Sequence, residues 1–146
     1  MVGDRKPYLF HDSPFSEREA VFSPDGKWLA YGSNESGEYK IHVAPFPGPG
    51  GRWQVSTGGG SSPRWRRDGR EIFYLSSDNW ITAAEVRAHA SSFEVGAVRT
   101  LFETRPYGVF GRFDVTADGR RFIVAYEAGA PAAVITLVVN WPEQLR

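Results

Sequence analysis

One ten-residue pattern occurs three times along the chain and restricts the fold more than any other sequence feature. Its copies occupy residues 22–31, 65–74 and 115–124, and their Asp-Gly pairs lie 43 and then 50 residues apart. Each copy has an aromatic or β-branched residue, two intervening positions, Asp-Gly, a basic residue and an apolar run. Periods of about 40–50 residues are typical of propeller blades and exceed those of the shorter helical repeats. The spacing therefore predicts a series of similar β-units.

The Asp-Gly pair predicts a tight hairpin turn at the centre of each copy. Glycine adopts a positive φ without steric cost, and an aspartate side chain can accept hydrogen bonds from the amides of its own turn. We therefore interpret these six residues as structural turn residues and predict no catalytic residue among them. They are Asp25, Gly26, Asp68, Gly69, Asp118 and Gly119.

Strand patterns after each hairpin give about four strands per unit, which is the number in a propeller blade. The sequence thus predicts an all-β fold: a half propeller of three four-stranded antiparallel blades. Blades are expected over 20–57, 58–104 and 105–146, after a closing strand and linker over 1–19. The later strands are predicted at 39–44, 52–55, 80–86, 98–102 and 133–140, with an irregular turn at 91–98 and a short helical turn at 141–146.

The third unit has no candidate for a fourth strand, whereas the segment from Lys6 to Phe10 precedes the first unit and belongs to none. Closed propellers have about 4–8 blades, so three blades cannot form a ring. We expect a homodimer in which each chain lends this segment to the third blade of its partner. Six blades would then close without an open sheet edge, which otherwise promotes aggregation.

Composition and charge argue against several classes of partner. Seventeen basic and seventeen acidic residues cancel, so no net field attracts nucleic acid or an anionic membrane. The chain has no cysteine and only three scattered histidines, which predicts no metal site and no cofactor. The first residues are polar, and the longest apolar stretch is far shorter than the roughly 20 residues of a membrane helix. We expect a soluble chain without signal peptide or membrane segment; its compartment stays open.

Arg64-Trp65-Arg66-Arg67 is the one basic cluster that contains an aromatic residue. It could contact a nucleic acid or an acidic peptide. The preferred interpretation is a solvated hairpin rim, in which Trp65 is buried and the arginine stems pack along the blade edges. If a propeller face binds an unknown protein or small ligand, the candidate contact residues are Arg64, Arg66, Arg67 and Arg112.

The first repeat, Phe22-Ser-Pro-Asp-Gly-Lys-Trp-Leu-Ala-Tyr31, resembles the Pro-Asp repeats of TolB-like, WD-like β-propellers. Pro45-Phe-Pro-Gly-Pro-Gly-Gly51 and Trp53-Gln-Val-Ser-Thr-Gly-Gly-Gly60 resemble the C-terminal half of the propeller attached to bacterial serine/threonine protein kinases. This resemblance implies a non-catalytic scaffold for protein contacts or ligand sensing, as the sensor part of a kinase-type signalling protein. The kinase motifs themselves are absent from the sequence.

Two alternatives remain open at the level of the sequence. A hydrolase or lyase could use the channel of a closed ring, although the nearest match to a nucleophile elbow, Gly59-Gly60-Ser61-Ser62-Pro63, lacks the second glycine. The chain could also be a propeller fragment whose only activity is self-assembly.

Overall fold

A computed structural model describes residues 6–104, 113–127 and 133–138 of the protein. All regular elements in these ranges are β-strands, arranged in three separate antiparallel sheets that follow one another along the chain. The predicted all-β class is confirmed. Within the described ranges, no helix is long and apolar enough to cross a membrane.

Blade 1 is a four-stranded sheet in which neighbouring strands are also consecutive in sequence. Its strands are β1 (Glu17–Phe22), β2 (Trp28–Ser33), β3 (Lys40–Pro45) and β4 (Trp53–Gln54). The fourth strand is shorter than the pattern over 52–55 predicts, because only two of its residues pair with β3.

Blade 2 repeats this order with β5 (Gly60–Trp65), β6 (Glu71–Ser76), β7 (Trp80–Ala88) and β8 (Phe93–Glu103). The prediction of an irregular turn over 91–98 is wrong, since β8 begins at Phe93, which pairs with Ala88 at the end of β7. Phe93 is buried at 3% exposure, so tertiary packing extends the strand through a segment whose Gly96 and Ala97 have little intrinsic preference for a strand.

Blade 3 has three described strands: β9 (Phe113–Val115), β10 (Phe122–Glu127) and β11 (Ala133–Val138). Strand β10 lies in the middle and pairs with both others. The helical turn predicted at 141–146 lies outside the described residues. The segment from Lys6 to Phe10 is not in a strand of its own chain, and its exchange between two chains stays a prediction.

The three hairpin turns have the same geometry. In each, the glycine N–H donates to the carbonyl three residues earlier at 2.8–2.9 Å, and the glycine φ is 70–72°. One aspartate oxygen accepts the amide two residues further on, at 3.0–3.1 Å. Hydroxyl donors add to this in two turns: Ser23 lowers the pKa of Asp25, and Thr116 lowers the pKa of Asp118.

Two hydrophobic clusters hold the blades together. The first lies between blades 1 and 2 and includes Trp28, Ile41 and Tyr74. The second lies between blades 2 and 3 and includes Phe73 and Phe122, whose rings meet edge to face at 5.2 Å. Because side chains alternate along a strand, blade 2 contributes one face to the first cluster and the opposite face to the second, whereas blades 1 and 3 each contribute one face to one cluster.

Candidate functional site

The face of blade 1 that points away from blade 2 exposes Phe22, whose equivalent in blade 2 packs between two blades. Trp65 of blade 2 packs against the cluster shared with blade 1, and its Nε1 donates to the Val21 carbonyl at 3.4 Å. Phe22 stands 43 residues earlier, at the same position of the repeat, and is opposite Leu29 in the sheet. Its ring meets Phe46 edge to face at 4.9 Å, but no blade in the described part of the chain packs on it, and Phe22 is 55% exposed.

The outward face of blade 3 shows the same relationship. Phe73 of blade 2 points toward blade 3 and is 1% exposed. Ile123 stands 50 residues later, at the corresponding position of blade 3, and is 44% exposed. We call the face of blade 1 with Phe22 and the face of blade 3 with Ile123 the open faces. Each presents to solvent a side chain whose equivalent in blade 2 packs between blades, half buried for Trp65 and fully buried for Phe73.

A buried polar cluster lies on the open face of blade 1. Tyr31 and His42 face each other across β2 and β3, and their rings stack at 6.0 Å. Glu35 joins the cluster through an ion pair with Arg52 and through a 3.2 Å contact from Oε1 to His42 Nε2. His42 is 3% exposed, and this burial lowers its pKa despite the neighbouring carboxylate. At the equivalent place, blade 2 has the buried Tyr74, packed against blade 1.

A cleft with a volume of about 910 Å³ opens between the hairpin ends of blades 1 and 2. Its walls are the turn around Asp25, the turn from Arg66 to Glu71, and the end of β7 from Glu85 to Ala88. This volume is within the range of about 300–1,000 Å³ common for ligand pockets. The cleft is therefore large enough to take a small molecule or a few residues of a peptide.

Aromatic side chains form the inner wall of the cleft. Trp28 and the half-buried Trp65 line it, and Phe93 packs behind them at 5.2 and 6.1 Å, respectively. Trp53 completes this group at 5.7 Å from Trp28. The wall combines residues from both blades, so its position depends on how the blades pack.

Every carboxylate that lines the cleft already has a partner. Asp25 accepts from the Ser23 hydroxyl at 2.7 Å, and Asp68 lies 3.4 Å from Arg66. Glu71 pairs with Arg66 at 3.1 Å and also with Arg99 of β8. Arg99 in turn lies 3.6 Å from Glu85. Asp68, Glu71 and Glu85 are thus paired with arginines of their own chain, whereas Asp25 is held by hydrogen bonds of its own turn.

Three arginines of the cleft are in a different state. Arg67, Arg70 and Arg87 are exposed, and their side chains make no ion pair within the described part of the chain. Their guanidinium groups are available to an anion, and a guanidinium binds a carboxylate through two parallel hydrogen bonds.

The four arginines predicted as contact residues separate in the structure. Arg66 and Arg67 line the cleft. Arg64 instead points to blade 3, where it lies 3.7 Å from Asp114 and over the Phe113 ring. Arg112 lies outside the described residues.

Sequence reasoning gave no contact role to Arg70 or to Arg87 of β7, which both line the cleft. Arg87 is 20 residues away from the basic cluster, and its own sequence neighbourhood shows no motif. Across the described ranges, no group of three His, Cys, Asp or Glu side chains is placed to hold a metal ion.

Comparisons with solved structures place the fold among β-propellers. A proposed 6-phosphogluconolactonase from Bacteroides uniformis superposes with a TM-score of 0.54 at 17% identity, over 80% of this chain and 34% of the other. The Swd1 β-propeller domain of Myceliophteria thermophila gives 0.53 at 11% identity, over 86% and 40%. TolB from Acinetobacter baumannii gives 0.44 at 14% identity, over 93% and 44%.

The chain thus spans less than half the length of each of these proteins. No protein-family model and no curated protein sequence matches it. At these identities the likeness concerns the fold: the protein is a β-propeller segment of three blades, and its predicted fold class is confirmed.

Proposed function

We propose that the protein is a propeller scaffold that binds protein partners or ligands, and that two chains together complete a six-bladed ring. The observation that carries this proposal is the exposure of Phe22 and Ile123 at repeat positions whose equivalents pack between blades: Trp65 is half buried and Phe73 is fully buried. Burying one such side chain stabilises an interface by about 1.5–3 kcal/mol, which gives the open faces a reason to associate.

The geometry favours pairing between unlike faces. The Ile123 face of blade 3 corresponds to the face of blade 2 that packs against blade 3. The Phe22 face of blade 1 corresponds to the face of blade 2 that packs against blade 1. The open face of blade 3 in one chain should therefore dock on the open face of blade 1 in its partner. A twofold axis makes this contact twice and closes the assembly.

Strand exchange is the finer form of this proposal. In the single chain, Phe10 contacts Phe46 with ring centroids 5.6 Å apart. Strand β11 pairs on one side with β10, and no second partner strand occurs among the described residues. The segment from Lys6 to Phe10 would leave Phe46 and add a fourth strand beside β11 of the partner.

The role as sensor of a kinase-type signalling protein belongs to the same proposal. Its support is the sequence resemblance to kinase-attached propellers. A rigid blade assembly with loops at both ends suits this role, because binding residues are commonly carried by loops on a fixed scaffold.

The test is the absolute mass in solution, measured by light scattering after size exclusion. We expect a dimer for the natural chain, and monomers for Phe22→Glu and Ile123→Glu, because each places a charge in the interface. Val98→Glu is the matched control, since Val98 is 40% exposed on β8, away from both open faces. Deleting residues 6–10 tests the exchange separately.

A monomeric natural chain, or a dimer that both open-face variants leave intact, would refute the pairing of open faces. A dimer that persists without residues 6–10 but dissociates with Phe22→Glu would retain the pairing and refute strand exchange.

A further inference from the structure

We infer that the cleft between the hairpin ends of blades 1 and 2 binds an acidic peptide segment. The cleft lies within one chain, so binding does not require two chains to pair. This site adds a ligand-binding surface to the open faces described above, and it names acidic peptides as the class of partner.

Charge is the first reason. The carboxylates of the cleft are engaged by groups of their own chain, whereas Arg67, Arg70 and Arg87 are exposed without an ion pair in the described ranges. The cleft therefore has three cationic groups to offer an incoming anion. Hydrogen bonds between ionised partners are shorter and about twice as strong as neutral ones.

The aromatic wall is the second reason. Trp65 is only half buried although it belongs to the interblade cluster, and its exposed part faces the cleft. An apolar side chain of a ligand can pack there, next to the arginines. Binding surfaces for proteins are enriched in this combination of tryptophan and arginine.

The cleft suits a peptide better than a nucleic acid. Asp25, Asp68, Glu71 and Glu85 stand between the arginines in its lining, so the cleft offers separate cationic points and no continuous cationic track for a phosphate backbone. A peptide presents separate carboxylates for the arginines and backbone N–H groups for the acids. The neutral total charge of the chain also gives no long-range attraction for nucleic acid.

The experiment uses a fluorescein-labelled peptide of alternating Glu and Leu, and a matched peptide with Gln in place of Glu. Binding to the full chain is followed by fluorescence anisotropy. We expect saturable binding of the Glu peptide that weakens with added salt, and about tenfold weaker binding when Arg67→Ala and Arg87→Ala are combined. The Gln peptide should bind at least about tenfold more weakly than the Glu peptide.

The matched control combines Arg120→Ala with Arg121→Ala. It removes two exposed arginines from the hairpin of blade 3, outside the cleft, and should leave binding unchanged. Absence of binding, or equal loss in both double variants, would overturn the site. If a single-stranded oligonucleotide binds more tightly than the peptide and depends on Arg67 and Arg87, the ligand of the cleft is a nucleic acid and the peptide assignment is overturned.

Light scattering on the same samples separates this site from the pairing of chains. If the peptide fails to bind while the natural chain is a dimer, only the peptide site is refuted. If the chain is a monomer that binds the peptide through Arg67 and Arg87, only the pairing is refuted.

Discussion

The carboxylate of Glu19 in blade 1 accepts two hydrogen bonds from Ser62 in blade 2, at 2.8 Å from the backbone N–H and at 3.1 Å from the hydroxyl. These residues stand 43 apart at the same position of the repeat, and both have a positive φ, 55° and 54°. Each lies where the pairing register of its strand shifts, in β1 and β5. The register shift in β1 of blade 1 is thus hydrogen-bonded to the equivalent register shift in β5 of blade 2.

Replacing Glu19 by Ala should lower the free energy of unfolding by about 1–3 kcal/mol, because the buried Ser62 loses its carboxylate acceptor. Glu19→Gln should lose less, since the amide oxygen still accepts. Urea denaturation followed by tryptophan fluorescence measures both. Glu94→Ala is the control, because Glu94 is exposed and its one ion pair among the described residues is with the exposed His89; a similar loss there would contradict the specific role of Glu19.

Gly26→Ala should destabilise the protein by about 1–2 kcal/mol through backbone strain alone. A Cβ at Gly26 would meet no atom within 4 Å, but its φ of 70° disfavours any residue with a side chain. Gly58 is the matched control, because a Cβ there is equally unobstructed and its φ is outside the left-handed range. Thermal denaturation of both variants compares them. Equal melting temperatures for the two would show that the turn does not require glycine.

Acidification should weaken the fold through His42. Burial lowers the pKa of His42 below its usual value of about 6.5, so the unfolded chain binds the proton more readily than the folded chain. Stability is therefore full above about pH 6.5 and falls as the pH drops from there toward the lowered pKa of the folded state. Glu35 and Arg52 face this imidazole with opposite effects and do not reverse the shift.

Urea denaturation at pH 7.5 and pH 5.5 measures the effect of His42. The natural chain should lose more stability than His42→Gln on going to the lower pH. His89→Gln serves as the control, since His89 is exposed on the hairpin of blade 2. An equal loss in the natural chain and in His42→Gln would assign the pH dependence to other groups.

Much of the fold could be predicted because its decisive signals are local. The Asp-Gly turns need a positive φ at one residue, and Gly26, Gly69 and Gly119 supply it wherever the chain goes afterwards. Alternating apolar residues then give β-strands on either side. Strand β8 was missed over its first residues because its pairing with β7 compensates for a weak local preference.

The sequence by itself therefore determined the repeat, the turns, the strand class and the number of units. Only the tertiary structure decided which repeated residues are covered, as the contrast between Trp65 and Phe22 shows. It also brought Arg87 to the basic turn and placed Glu19 on Ser62. The physical reason is range: turn sterics act within four residues, whereas burial and ion pairing depend on distances between blades that no local pattern encodes.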